Sequence, residues 1–236
     1  MPYRSGPGQR AMAGKRVRIV MMSDTHEQHR RVDVPDGDLL IHAGDFTYFN
    51  RSSHAVQDFD DWLHALPHRH KVLVPGNHES CFGSPQWRDQ ITGAVVLVDS
   101  GIELAGLKIW GARVTPEGAG AIGNETDERC GAALSQIPKG TDVLITHGPP
   151  FGILDLARGI PQGSRKLLGA LRHIKPRLHV FGHIHAGYGT ARSRGTIFVN
   201  AALAGPGYSI TKGPITVSFA PTDKIERRNR NEHNGP

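Results

Sequence analysis

Five short polar clusters carry the residues best suited to chemistry: Asp24-Thr25-His26, Gly44-Asp45, Gly76-Asn77-His78-Glu79, Thr146-His147-Gly148 and Gly182-His183-Ile184-His185. Within them Asp24, His26, Asp45, Asn77, His147, His183 and His185 offer carboxylate oxygens, one amide oxygen and imidazole nitrogens. These hard and borderline donors suit two divalent cations. A lone His-x-His pair is weak evidence, because histidine pairs arise by chance. Here each cluster follows a short apolar run that reads as a buried strand. Gly182 is expected to let the backbone bend so that His183 and His185 converge. No cysteine lies in any cluster, which argues against a structural zinc site.

Two cations roughly 3.5–4 Å apart need one group that touches both, and a carboxylate can do so with its two oxygens. Asp24 and Asp45 are the carboxylates in ligand position. Such a pair of ions lowers the pKa of a water held between them, giving a metal-bridging hydroxide, and clamps two phosphate oxygens. The expected chemistry is phosphoester hydrolysis without a covalent enzyme intermediate. His78, adjacent to Asn77, cannot easily face the same ion as its neighbour. It is better placed to meet the leaving-group oxygen as an acid or hydrogen-bond donor.

The elements that must position these clusters follow a β-loop, helix, β-loop rhythm, the mark of layered α/β architecture. Strands are expected at 17–22, 38–42, 72–74, 95–98, 102–104, 107–110, 143–145, 178–181, 197–199 and 215–219. Val56, Phe59, Trp62, Leu63 and Leu66 repeat at helical spacing, and Pro67 ends that helix. Ser164 can cap a helix running through Ile174, with Leu167, Leu168 and Leu171 on one face. A second, shorter helix is expected at 126–136. Ala105-Gly106 suggests a tight hairpin, and the Gly-rich 115–123 a loop near the site mouth; 115–123 and 205–211 are the loops that would contact a nucleobase, though neither carries a readable recognition code.

Composition excludes several classes. The chain has 236 residues, enough for one domain with a sizeable core. No apolar stretch approaches the roughly 18 residues of a membrane span. Residues 1–15 lack the apolar core of a secretory signal and read as a flexible lead-in. Residues 221–236 are polar and charged, and read as a disordered tail. The expected organisation is therefore one domain over 16–220 with flexible termini. Two cysteines are too few for a disulfide framework, so reduced thiols in the cytoplasm are expected. The net charge of +6 owes much to Arg and Lys at the ends. No basic stripe interleaved with aromatics appears, so no dedicated nucleic-acid partner is expected.

Taken together, the clusters resemble the calcineurin-like metallophosphoesterase superfamily, whose pattern is D-x-H, G-D, G-N-H-[DE], H and G-H-x-H. Order and rough spacing match across 17–219. The resemblance implies a four-layer α/β sandwich, two mixed β-sheets packed face to face and flanked by helices. It implies one ion held by Asp24, His26, Asp45 and His185, and a second by Asp45, Asn77, His147 and His183. Asp45 would bridge, and His78 would assist the leaving group. The segments around Asp45, Thr146-His147-Gly148-Pro149-Pro150 and Gly182-His183-Ile184-His185-Ala186-Gly187-Tyr188-Gly189 are similar to the metallophosphoesterase-domain (MPPED-type) branch, itself similar to class III cyclic nucleotide phosphodiesterases. Some animal members of that branch have Gly where this chain has His183. The Asp-Arg-Gly of Ser/Thr phosphatases is absent, with Phe46-Thr47 in its place.

The implied activity is a phosphodiesterase acting on small phosphodiesters, with cyclic nucleotides the leading class. A phosphomonoesterase and a non-catalytic scaffold are the alternatives. Mn, Fe, Zn, Co and Ni all suit the donor set. Nothing in the sequence fixes oligomeric state. Among the other histidines, His42 and His179 are expected to be packed and hydrogen-bonded within strands, His29 to face solvent, and His54, His64, His68, His70, His173 and His233 to lie at the surface. Glu79 is expected to orient a ligand or cap the next segment, and Cys81 to be a bystander.

Overall fold

The computed structural model describes residues 3–5, 16–48, 53–80, 87–114 and 127–220. Its central strands are rich in apolar residues and largely buried on both faces, as parallel strands covered by helices must be. Val17–Met22 (β2), Leu39–His42 (β3), His70–Leu73 (β4) and Val95–Val96 (β5) run parallel in that order, with Ile215–Phe219 (β14) antiparallel outside β2. A second, seven-stranded sheet runs in the order Tyr3–Ser5 (β1), Ser100–Leu104 (β6), Leu107–Ala112 (β7), Val143–Thr146 (β8), Leu178–Phe181 (β11), Thr196–Asn200 (β13) and Gly189–Ser193 (β12). Leu156–Ala157 (β9) and Ile160–Pro161 (β10) form a separate two-stranded ribbon.

Alternation along each strand sorts side chains into layers. From β2, Ile19 and Met21 enter the core between the sheets, where they meet Ile109, Val143, Ile145, Val180 and Val199. Val20 and Met22 point the other way, towards Val56, Phe59, Trp62 and Leu63 of the helix Ser53–Ala65 (α1). On the far face, Trp110, Leu144 and Phe198 pack against Leu134 of Asp127–Ser135 (α4) and Leu167 and Leu171 of Arg165–Ile174 (α5). Two short helices, Asn77–Ser80 (α2) and Trp87–Gln90 (α3), complete the set. The result is the expected four layers, helix, sheet, sheet, helix.

Local signals account for the boundaries. The Ser164 hydroxyl accepts from the Leu167 N–H at 3.1 Å and starts α5, and Lys175, at φ 50°, ends it in the left-handed region. Ala105 and Gly106 have φ of 51° and 75°, the handedness a two-residue hairpin between β6 and β7 requires.

Three features differ from expectation. The lead-in contains β1, parallel to β6, and Tyr3 stacks edge-on against Trp110 at 6.0 Å. The strand at 95–98 is shorter, and β9, β10 and β12 carry too little apolar patterning to announce themselves. The loop at 115–123, the tail 221–236, Cys81 and His233 lie outside the described residues. No helix among the described residues is long and apolar enough to cross a membrane.

Candidate metal centre

Because β2, β3 and β4 are parallel, the loops leaving their carboxyl ends share one edge, and these loops carry Asp24, His26, Asp45, Asn77 and His78. Parallel β8 and β11 do the same in the second sheet for His147, His183 and His185. Main-chain bonds tie the loops within each set, Asp24 N–H donating to Gly44 O at 2.9 Å, His26 N–H to Asp45 O at 3.1 Å and Gly182 N–H to His147 O at 2.9 Å, and His183 N–H joins the two sets by donating to Asp24 Oδ2 at 2.9 Å. Six of the seven predicted ligands, with His78, fall into three overlapping groups whose donor atoms lie within 4.8 Å of one another: Asp24, His26 and His185; His26, Asp45 and His78; Asp45, His147 and His183. Asn77, the seventh, joins the last group through its Oδ1, 2.9 Å from His147 Nε2. Asp45 is the carboxylate common to two groups, the position a bridge must occupy.

The imidazoles are oriented from behind. His147 Nδ1 lies 2.8 Å from Ala43 O, and His26 Nδ1 lies 3.1 Å from Thr47 O. A carbonyl can only accept, so both Nδ1 atoms carry protons and both Nε2 atoms turn lone pairs inward. His147 Nε2 then faces Asn77 Oδ1 and, at 3.2 Å, Asp45 Oδ2. His26 Nε2 faces His185 Nε2 at 3.3 Å, which in turn lies 3.3 Å from Asp24 Oδ1. Lone pairs converging on lone pairs repel unless a proton or a cation sits among them. Without a cation the proton does so: burial opposes it, but the Asp45 and Asp24 carboxylates drive His147 up to about 10. Burial likewise opposes ionisation of Asp45, yet His147 holds it down to about 2. Asp24 is held below the usual carboxylate range, against burial, by His185, His147 and His26. His183, buried and beside His147, is pushed down to about 4 and stays neutral, as a ligand must. These donors could hold divalent metal.

Strain is concentrated here. Asp24, His26, Asp45 and His183 have φ of 57°, 42°, 54° and 67°. Each left-handed non-glycine residue costs about 1 kcal/mol or more and persists only where the surroundings enforce it. Gly182 was expected to supply the bend, but His183 makes it. Gly182 is needed for room instead, since a Cβ there would collide with Asp24 Oδ2 and Ser23 Oγ. Gly76 serves the same purpose beside Asp45 Oδ1.

Glu79 acts behind the ligands. Its Oε1 accepts from Thr47 N–H and Thr47 Oγ1–H, both at 2.9 Å, and its Oε2 from Asp45 N–H at 2.8 Å and Gly76 N–H at 2.7 Å. Burial and the Asp45 charge push its carboxyl up to about 7, and the donors from Thr47 and Gly76 pull against them. His78 N–H donates to Asp45 Oδ1 at 2.9 Å, and its Nε2 lies 3.7 Å from Asp45 Oδ2, so the ring borders the cluster. His42 and His179 are packed and bonded as expected, to Thr25 and Thr146. His29, expected at the surface, is buried against Phe59 and Trp62 with Nε2 2.9 Å from Asp58, because α1 offers it an aromatic bed and a carboxylate. His68 and His70 are also buried, whereas His64 and His173 are exposed. Sequence reasoning missed Tyr48, whose ring lies 6.1 Å from His26, and marked the loop 205–211 without singling out its Tyr208, whose ring lies 4.8 Å from His26. No motif contains them.

Comparison with known proteins agrees with this geometry. The calcineurin-like phosphoesterase family matches residues 17–187. Human metallophosphoesterase domain-containing protein 1 is 36% identical over 234 residues, covering 86% of this chain and 71% of that protein. A UPF0046 protein of Caenorhabditis elegans is 35% identical over 215 residues, covering 84% and 74%. Among solved structures, TT1561 of Thermus thermophilus superposes with a TM-score of 0.51 at 14% identity over 78% of this chain and 88% of its own. GAP50 of Plasmodium gives 0.51 at 10% over 87% and 78%. At those identities the structures share the fold alone. The sheet pair, the converging donors and these relatives place the chain in the calcineurin-like metallophosphoesterase family, alongside its MPPED-type members.

Proposed function

We propose that this protein is a dinuclear metal-dependent phosphodiesterase of small phosphodiesters, with cyclic nucleotides as the leading substrate class. The observation that carries this reading is the inward aim of His26 and His147 Nε2, enforced by main-chain carbonyls at Nδ1 and converging with carboxylate and amide oxygens. Asp24, His26, Asp45 and His185 would hold one ion, and Asp45, Asn77, His147 and His183 the other. When bound, two such ions supply charge to clamp phosphate oxygens and to activate a water.

The residues themselves do the rest. Asp45, anchored by the His78 N–H, keeps both halves of the cluster at a fixed separation. Glu79 holds the loops bearing Asp45 and Gly76 in register. His78, which carries no assigned ligand role, would donate to the departing oxygen. Residues 16–220 would form the functional domain, and the small number of cysteines favours a reducing cytoplasm. The similarity of MPPED-type sequences to class III cyclic nucleotide phosphodiesterases supports the substrate class. Manganese, iron, zinc, cobalt and nickel all fit the donors.

The test is turnover of bis(4-nitrophenyl) phosphate by the manganese-loaded chain, compared with 4-nitrophenyl phosphate. Faster hydrolysis of the diester supports the proposal. Preference for the monoester supports a phosphomonoesterase with the same centre, and no turnover of either by a folded, metal-loaded chain supports a scaffold.

A further inference from the structure

We propose that Tyr48 and Tyr208 form an aromatic subsite that stacks a planar ring of the substrate, a nucleobase or an aryl group, on the side of phosphorus where the leaving oxygen stands. This inference rests on the phosphodiesterase reading and adds the feature that selects the substrate.

Both rings border one half of the cluster. Tyr208 lies 4.8 Å from His26, 5.4 Å from His185 and 6.3 Å from His78. Tyr48 lies 6.1 Å from His26 and 6.2 Å from His78. The two tyrosines meet edge to face, 5.0 Å apart at 78°. His147 and His183, 5.1 Å apart, occupy the other half. In an in-line displacement the attacking and leaving oxygens stand on opposite sides of phosphorus. His78 is the candidate donor to the leaving oxygen, so the rings beside His78 flank the side of phosphorus on which that oxygen stands.

Neither ring is placed as core packing would place it. Tyr48 is 42% exposed, one of three large apolar side chains at the surface of the described residues. Tyr208 is half-buried and sits in the left-handed region at φ 64°, directly after Gly207 at 72°. A bulky side chain held there is a backbone outlier, of the kind that clusters at ligand clamps. The surrounding loop enforces it: Gln28 Nε2–H donates to Tyr208 O at 2.6 Å, Tyr208 N–H to Gly205 O at 3.2 Å, and Gly205 N–H to Ser209 O at 2.8 Å. Lys212 Nζ donates to His185 O at 2.5 Å and Ala204 O at 3.4 Å, tying the same loop to a candidate metal ligand. The fold thus sustains backbone strain to hold a ring against the site. A base stacked on an aromatic side chain gains roughly 5- to 150-fold in affinity, whatever its identity.

The test is calorimetric titration of the manganese-loaded full chain with adenosine 5′-monophosphate and with ribose 5-phosphate, which share sugar and phosphate and differ in the base. The wild type is expected to bind the nucleotide at least about fivefold more tightly. Tyr208→Leu and Tyr48→Leu should each shrink that ratio, Tyr208→Leu to below about twofold, and Tyr208→Phe should preserve it. Equal affinities in the wild type, or an unchanged ratio in both Leu variants, would overturn the subsite. So would loss of manganese from a Leu variant by elemental analysis, which would make the ring a support for His26 only. If the base preference is absent while ribose 5-phosphate binds and bis(4-nitrophenyl) phosphate turns over, the subsite fails and the phosphodiesterase reading stands. If neither ligand binds and nothing turns over, both fail.

Discussion

Asp45 and His78 touch each other, yet their proposed roles separate in experiment. Asp45 is shared by two donor groups, so Asp45→Ala should abolish both metal retention and turnover. His78→Ala should keep its metal and lose rate by about 10²–10⁴-fold, the usual worth of a general acid. Elemental analysis beside steady-state rates checks this, and equal metal loss in both variants would sink the assignment. At this scale the sequence was most informative. Donor types at fixed places after strands singled out seven candidate positions, and the fold brings those side chains together. His29, by contrast, could not be placed, because its burial depends on Asp58, Phe59 and Trp62, which reach it only once α1 packs on β2 and β3. For Tyr208 the sequence marked only its loop, 205–211, since the closeness of the ring to His26 depends on how that distant segment folds back onto the site.

At the scale of the element, the loops after β3 and β4 act as one unit because Glu79 is bonded to both. Glu79→Gln keeps the shape but replaces one acceptor oxygen by a donor, which then faces N–H groups. Groups behind metal ligands typically matter about 10–100-fold for affinity. Glu79→Gln is therefore expected to weaken manganese binding by about that factor and to destabilise the chain by about 1–3 kcal/mol, read by calorimetry and by urea unfolding. Unchanged affinity would reduce Glu79 to a cap on α2. Elements with dense apolar runs, such as β2, β8 and β11, were legible in advance. Elements such as β1 and β12 were not, because edge strands need only a partner's free hydrogen bonds and carry little pattern of their own.

Across the whole molecule, buried neutral histidines set the response to acid. His42 and His179 are both pushed down to about 3, by burial. The Thr146 hydroxyl proton goes to Gly148 O at 2.7 Å, so His179 Nε2–H must be the donor to Thr146 Oγ1, leaving Nδ1 bare in an apolar layer. An unfolded histidine takes up a proton near pH 6.5 and these do not, so stability is full above about 6.5 and falls as pH drops towards 3. Between pH 7 and 5 each should contribute a loss of about 2 kcal/mol. Urea unfolding of metal-free wild type and His179→Gln at both pH values checks this: the variant should lose about 2 kcal/mol less. Equal losses would show that His179 titrates normally in the native state.

The backbone twist at His183 makes replacement of that candidate ligand easy in one direction. Glycine alone accepts a φ of 67° without penalty, so a glycine placed there would recover folding energy. In metal-free protein His183→Gly should therefore be more stable than His183→Ala by about 1 kcal/mol, the reverse of their order at an ordinary loop position. Chemical denaturation of the two variants side by side reads that difference. A glycine at this place is then the least strained replacement of His183 that the fold permits.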